Sequence, residues 1–154
     1  MNMDIKLTEH FTLQELCRSR MARRQKIPNV PLGCHIMRLK NLCEKVLEPT
    51  RQHFGIPIRI TSGYRCEAVN KMVGGSQTSQ HITGEAADFQ WAEDAKLALM
   101  KEKLPALREA WEWMKANVPY DQLILESRKD GTQWIHVSCR IDMRKNRKKA
   151  WEIY

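Results

Sequence analysis

Residues 79–90 read SQHITGEAADFQ, and the way this stretch folds decides the rest of the chain. His81 and Asp88 lie seven residues apart, around a glycine and small alanines. On a straight helix that offset is two turns, about 10 Å of rise; on a straight strand it is roughly 23 Å. Neither geometry brings both side chains onto one atom, as a metal with ligand bonds of about 2 Å requires. A chain that uses the pair together must fold back between them. Gly84 is where that reversal costs least, because glycine tolerates positive φ. After it, EAADFQW (85–91) reads as a short buried strand whose small residues allow close packing. The spacing alone leaves a second reading open, a surface-loop histidine followed by a capping aspartate.

Downstream, YDQLILES (120–127) and QWIHVSCR (133–140) are strand-like, and Asp130-Gly131 between them is a hairpin turn signal. The hairpin brings in a third candidate ligand, His136, expected on a strand opposite Glu126. Two histidines and one carboxylate make a catalytic zinc set with a position left for water. The chain has five histidines, so the spacing by itself is weak. His10, His35 and His53 are assigned no role.

Upstream, Thr12 and Glu15 in FTLQELCRS (11–19) form a capping box opening a short helix, and PNVPLG (28–33) marks a loop. Apolar positions Ile36, Leu39, Leu42, Cys43, Val46 and Leu47 follow a helical period, with Pro49 expected to kink or end the helix. Ile56, Ile58 and Ile60 alternate as a strand leading into a Ser-Gly turn. NKMVGGSQTSQH (70–81) is a loop. Residues 92–117 have a helical composition, interrupted at Pro105, with Trp111 and Met114 as core contacts. The elements predict a single α+β domain, residues 1–154, with a motif-bearing core of about 11–139 and a basic tail at 140–154.

Composition narrows the function classes. With 154 residues, 42% hydrophobic and 29% charged, the chain reads as one ordinary globular domain with a real core. No apolar run is long enough to span a bilayer. The start, MNMDIKLTEHFTLQELCRSR, lacks the features of a secretory leader, which predicts synthesis in the cytoplasm. Five cysteines without a CxxC pair argue against a disulfide framework or a zinc knuckle; reduced, mostly buried thiols are expected. Cys139 is three residues from His136, an odd offset that sets it on the other strand face, away from a nucleophile's place. A net charge of +8 points to an anionic partner. The basic residues of RIDMRKNRKKAWEIY (140–154) are read as a solvated surface, with nucleic-acid binding a distant alternative.

ITSGYR (60–65), GGSQTSQHITGEAADF (74–89) and WIHVS (134–138) resemble the zinc D-alanyl-D-alanine carboxypeptidases and related peptidoglycan peptidases. That superfamily also holds vancomycin-resistance dipeptidases, phage endolysins and the Hedgehog signalling domain. The likeness runs from about Phe11 to Cys139. Its most specific block, SxHxxGxAxD, is matched by Ser79, His81, Gly84, Ala86 and Asp88. The resemblance implies a Hedgehog/D,D-peptidase-like fold, a small antiparallel sheet with flanking helices. It also implies one zinc ion held by His81, Asp88 and His136. Arg65 corresponds to the family arginine that faces the substrate carbonyl or carboxylate, and Ser79 either bonds substrate or holds the loop. A carboxylate must carry the proton, with Glu126 favoured over Asp130, whose place in the turn is a sufficient job. Several members carry His two residues before the last ligand; here Trp134 stands there, lining the cleft for a substrate peptide or sugar. The implied activity is hydrolysis of peptidoglycan stem or cross-bridge peptides, and for an endolysin the basic tail would attract anionic wall polymers. Without a leader, the resemblance to endolysins implies a phage or prophage enzyme, released through a holin or carried in the virion. The alternative is a non-catalytic, zinc-containing wall-binding module.

Overall fold

Alternation of apolar and polar side chains produces one five-stranded sheet in the computed structural model, which describes residues 2–92 and 104–154. The strands are β1 (Ile58–Ser62), β2 (Ala86–Trp91), β3 (Gln122–Ser127), β4 (Gln133–Ser138) and β5 (Lys149–Ile153). They lie in the order β1-β2-β4-β3-β5. β1, β2, β4 and β3 pair antiparallel, while β5 joins β3 in parallel. The sheet is therefore mixed rather than antiparallel throughout. A parallel neighbour needs a crossover, and residues 139–148 supply it.

Because side chains alternate across a sheet, its two faces differ in chemistry. Ile58, Ile60, Ala87, Phe89, Leu123, Leu125, Ile135 and Val137 are buried in the hydrophobic core. The intervening residues Asp88, Gln90, Gln122, Ile124, Glu126, Trp134 and His136 line a cleft on the opposite face. Helices cover the core face. In α1 (Leu13–Cys17) the Thr12 side chain caps the helix by accepting from Glu15 N–H, and α2 (Arg20–Arg24) follows on a Ser19 cap.

The run predicted around residues 35–53 is helical, and Pro49 does not end it. α3 (Gly33–Leu42) passes through a π-helical turn (Cys43–Leu47) into α4 (Glu48–Phe54). Proline lacks a donor and its ring crowds the carbonyl four residues back. The wider π turn, in which Glu48 N–H reaches Cys43 O, makes room for the ring. Leu39, Leu42, Val46 and Leu47 are fully buried along this run. α5 (Glu67–Met72) leads to the loop before β2, and α6 (Leu107–Asn117) begins two residues after Pro105. Most of the helix expected between residue 92 and Pro105 lies outside the described residues. Trp111 and Met114 are both buried, and the Trp111 indole donates to Leu123 O at 3.1 Å.

The basic tail is part of the sheet. β5 pairs with β3 from Gln122–Lys149 to Glu126–Ile153. Arg140 and Arg147 bond the fully buried carboxylate of Asp121, so two of the expected solvated charges are structural. Ala150 packs on the core, while Trp151 is half-buried beside Ile124. Among the described residues, no helix is long and apolar enough to cross a membrane.

Candidate metal centre

The sheet register brings Asp88 to His136. They are a directly opposed cross-strand pair of β2 and β4, the arrangement in which side chains touch most readily. Asp88 Oδ1 and His136 Nδ1 are 2.8 Å apart. His81 arrives from the turn before β2, by the reversal that the seven-residue offset demands. Gly84 makes that turn with φ of 77°, and an added Cβ there would lie 2.7 Å from His35 O. Glycine is required on both counts.

His81 is held by its far nitrogen. Nδ1 lies 2.7 Å from Gly63 O, and a carbonyl only accepts, so Nδ1 carries the proton and Nε2 presents its lone pair. Gly63 is itself a close-approach position, since a Cβ would fall 2.1 Å from Leu16 O. Arg65 N–H donates to His81 O at 3.1 Å, and His81 N–H to Ser79 Oγ at 3.3 Å. In this structure the Ser79 hydroxyl thus supports the loop.

Three ligand atoms converge. His81 Nε2 is 3.3 Å from both His136 Nδ1 and Asp88 Oδ1. A tetrahedral ion with bonds of about 2.0–2.1 Å has ligand atoms about 3.3 Å apart, so the trio fits a zinc-sized ion after sub-ångström adjustment. It is the one group of three or more His, Cys, Asp or Glu among the described residues that could hold a metal. The electrostatics suit the same task. Burial holds His81 neutral, below its usual titration range. Burial opposes ionisation of Asp88, yet His81 and His136 outweigh it and keep the carboxyl well below the usual carboxylate range.

Glu126 pairs across the sheet with Trp134, and His136 with Ile124. The predicted opposition of Glu126 to His136 is therefore wrong by one step of two residues, a slip that preserves the face. Glu126 still lines the cleft with His136. Burial lifts its carboxyl above the usual range and the Asp88 charge adds to the lift, while His136, Trp134 and Arg65 oppose it. Arg65 also lines the cleft; burial weakens its hold on the proton, but Asp88 and Glu126 strengthen it, and guanidinium stays charged. Trp134 lies at the cleft wall with the Arg128 guanidinium 5.1 Å from its ring centre. Asp130 is exposed in the hairpin loop, where its Oδ1 accepts from Thr132 N–H at 2.9 Å.

The other histidines have structural contacts. His10 bonds Glu48, His35 stacks on Tyr64, and His53 stacks on Trp113. All five cysteines are free, three of them buried. Burial pushes the Cys17 thiol up to about 12 and raises Cys139 as well; Cys139 packs in the core, off the cleft. Two groups escaped the sequence reading. One is Gly63, whose carbonyl orients His81 and whose only signal was the SGY turn. The other is the set of arginines in RSRMARR (18–24), which also lines the cleft and was visible as a charge cluster.

No individual curated protein matches the chain in sequence. The family model described as Peptidase M15 matches residues 9–138, a span that contains all seven of the predicted site residues. The chain therefore belongs to the peptidase M15 family, zinc-dependent peptidases acting on peptidoglycan.

Proposed function

We propose that this protein hydrolyses peptide bonds in the D-amino-acid-containing stem or cross-bridge peptides of bacterial peptidoglycan. One zinc ion is held by His81, Asp88 and His136. The observation that carries this reading is the convergence of His81 Nε2, His136 Nδ1 and Asp88 Oδ1 to within 2.8–3.3 Å of one another, in a cleft that the Glu126 carboxylate also lines. A zinc ion bound there supplies Lewis acidity, polarising a carbonyl and acidifying water. Glu126 acts as the general base: its carboxylate takes the proton of the attacking water and returns it to the leaving nitrogen. A carboxylate raised towards neutrality does both more readily than one at its ordinary pKa. Arg65 donates N–H groups to the substrate's developing oxyanion or to a terminal carboxylate. Trp134 offers a flat apolar wall to a peptide or sugar. The histidine that several relatives carry at this place is absent, so Glu126 alone handles the proton. Resemblance to phage endolysins supports a lysis role, with cell-wall polymers as the surrounding anionic partner.

Purified protein incubated with cell-wall sacculi tests the activity: new free amino groups should appear, and mass spectrometry of the released muropeptides identifies the bond. A protein that binds sacculi without releasing amino groups is the wall-binding module instead. Elemental analysis should find about one zinc per chain, and His81→Ala should lose it while keeping a folded circular-dichroism spectrum. A wild type that neither carries zinc nor rebinds it after chelation would falsify the ligand assignment.

A further inference from the structure

Nine of the side chains lining the cleft are arginines and none is a lysine, against two carboxylates, Asp88 and Glu126. Arg140 and Arg147 are tied to Asp121, and Arg128 lies over Trp134. Six others remain without a carboxylate within 4.0 Å among the described residues: Arg65 of the candidate metal centre, Arg18 ahead of α2, Arg20, Arg23 and Arg24 on α2, and Arg59 on β1. Like charges gathered along one cleft repel one another, so the arrangement is unfavourable unless an anion enters it. The residue type is informative too. Guanidinium forks onto a carboxylate through two parallel N–H bonds, which an ammonium cannot do.

Arg59 gives the cluster a fixed point. Its Nη2 donates to Gln90 Oε1 at 2.7 Å, and its Nε is buried without a hydrogen-bond partner. Arg59 pairs with Gln90, two residues along β2 from Asp88. That separation is roughly 7 Å, or about two residues of an extended peptide. Because this cleft also holds His81, Glu126 and Arg65, a carboxylate carried on the chain being cut lies within reach of the arginines.

We propose that Arg59 and the α2 arginines form a carboxylate subsite, selecting stem peptides with a free carboxylate about two residues from the scissile bond. The proposal rests on the peptidase reading above and names the substrate class within it. The alternative occupant of an arginine cluster, the phosphodiester of a wall polymer, is an outcome of the test.

The experiment compares soluble muropeptides that differ only in whether their side carboxylates are free or amidated. Wild-type protein should prefer the free form by about tenfold in kcat/KM. The variant Arg20→Gln/Arg23→Gln/Arg24→Gln changes exposed residues. It should lose most of that preference through a raised KM for the free form, with kcat nearly unchanged. A charge-matched control, Lys6→Gln/Lys40→Gln/Lys45→Gln, lies outside the cleft and should keep the preference. An unchanged preference in the arginine variant overturns the subsite. So does a variant that loses only its binding to poly(glycerol phosphate) and keeps its peptide KM. If wild type cuts neither peptide, equilibrium dialysis of the same pair decides. Tighter binding of the free form then keeps the subsite and overturns only the peptidase reading; equal binding overturns both.

Discussion

Glu126 and Asp130 are close in sequence but sit in unlike surroundings. Glu126 is half-buried on β3, its carboxyl raised by burial and by Asp88. Asp130 is exposed, and its Thr132 contact lowers its carboxyl. A proton carrier benefits from the first environment and a turn residue from the second. Glu126→Ala is expected to retain zinc and lose about 10²-fold or more in kcat. Asp130→Asn should keep most activity, since Asn makes the same side-chain contact to the turn. Zinc analysis together with muropeptide turnover checks both. A Glu126→Ala protein that turns over at the wild-type rate, beside an inactive, zinc-loaded Asp130→Asn, would reverse the assignment.

At the scale of elements, β5 bears on how the C-terminal residues act. A tail that only steers the enzyme to anionic wall could be removed with little effect on a small soluble substrate. A strand hydrogen-bonded to β3 cannot, because β3 carries Glu126 and Ile124 on the cleft face. Truncation after Met143 also removes Arg147, leaving Asp121 with Arg140 as its remaining ion-pair partner. Arg147 is itself exposed and Arg140 still faces the carboxylate, so losing this pair costs about 1.5–3 kcal/mol, the usual worth of hydrogen bonds to a charged group. For a chain of this size that lowers the melting temperature by roughly 5 °C. The truncated protein should therefore melt early and lose activity on sacculi and soluble muropeptides alike. Wild-type turnover of the soluble substrate would show that β5 is dispensable to the site.

Over the whole molecule, positive charge is sorted rather than spread. Arg140 and Arg147 secure the crossover to β5, and the arginines of α2 and β1 face the cleft. Burial opposes ionisation of Asp121, but Arg147 and Arg140 prevail and hold its carboxyl down to about 2. A depressed carboxylate stabilises the fold above its unfolded pKa near 4 and loses that contribution as pH falls towards 2. The contribution is on the order of 2 kcal/mol. Asp121→Asn should melt below wild type at pH 6, with the gap closing between about pH 4 and pH 2. Thermal melts of both proteins across that range measure it; a gap that does not change with pH would assign the loss to packing alone.

Local chemistry made much of this legible in the sequence. The α1 cap, the Ile58–Ser62 strand, the Asp130-Gly131 turn and the reversal at Gly84 all depend on near neighbours and the backbone freedom of single residues. The block around His81 and Asp88 carried the candidate ligand pair for the same reason. Tertiary structure decided what depends on distant partners. The π turn that admits Pro49 answers to packing along a whole helix, and the parallel pairing of β5 needs a crossover whose destination no local pattern specifies. The opposition of Asp88 to His136, and of Glu126 to Trp134, is a matter of register between strands far apart in the chain. The Gly63 carbonyl that orients His81 is a backbone group, which no side-chain motif reports. Residue types and turns follow from short-range sterics, whereas register and partner choice follow from burying one continuous core.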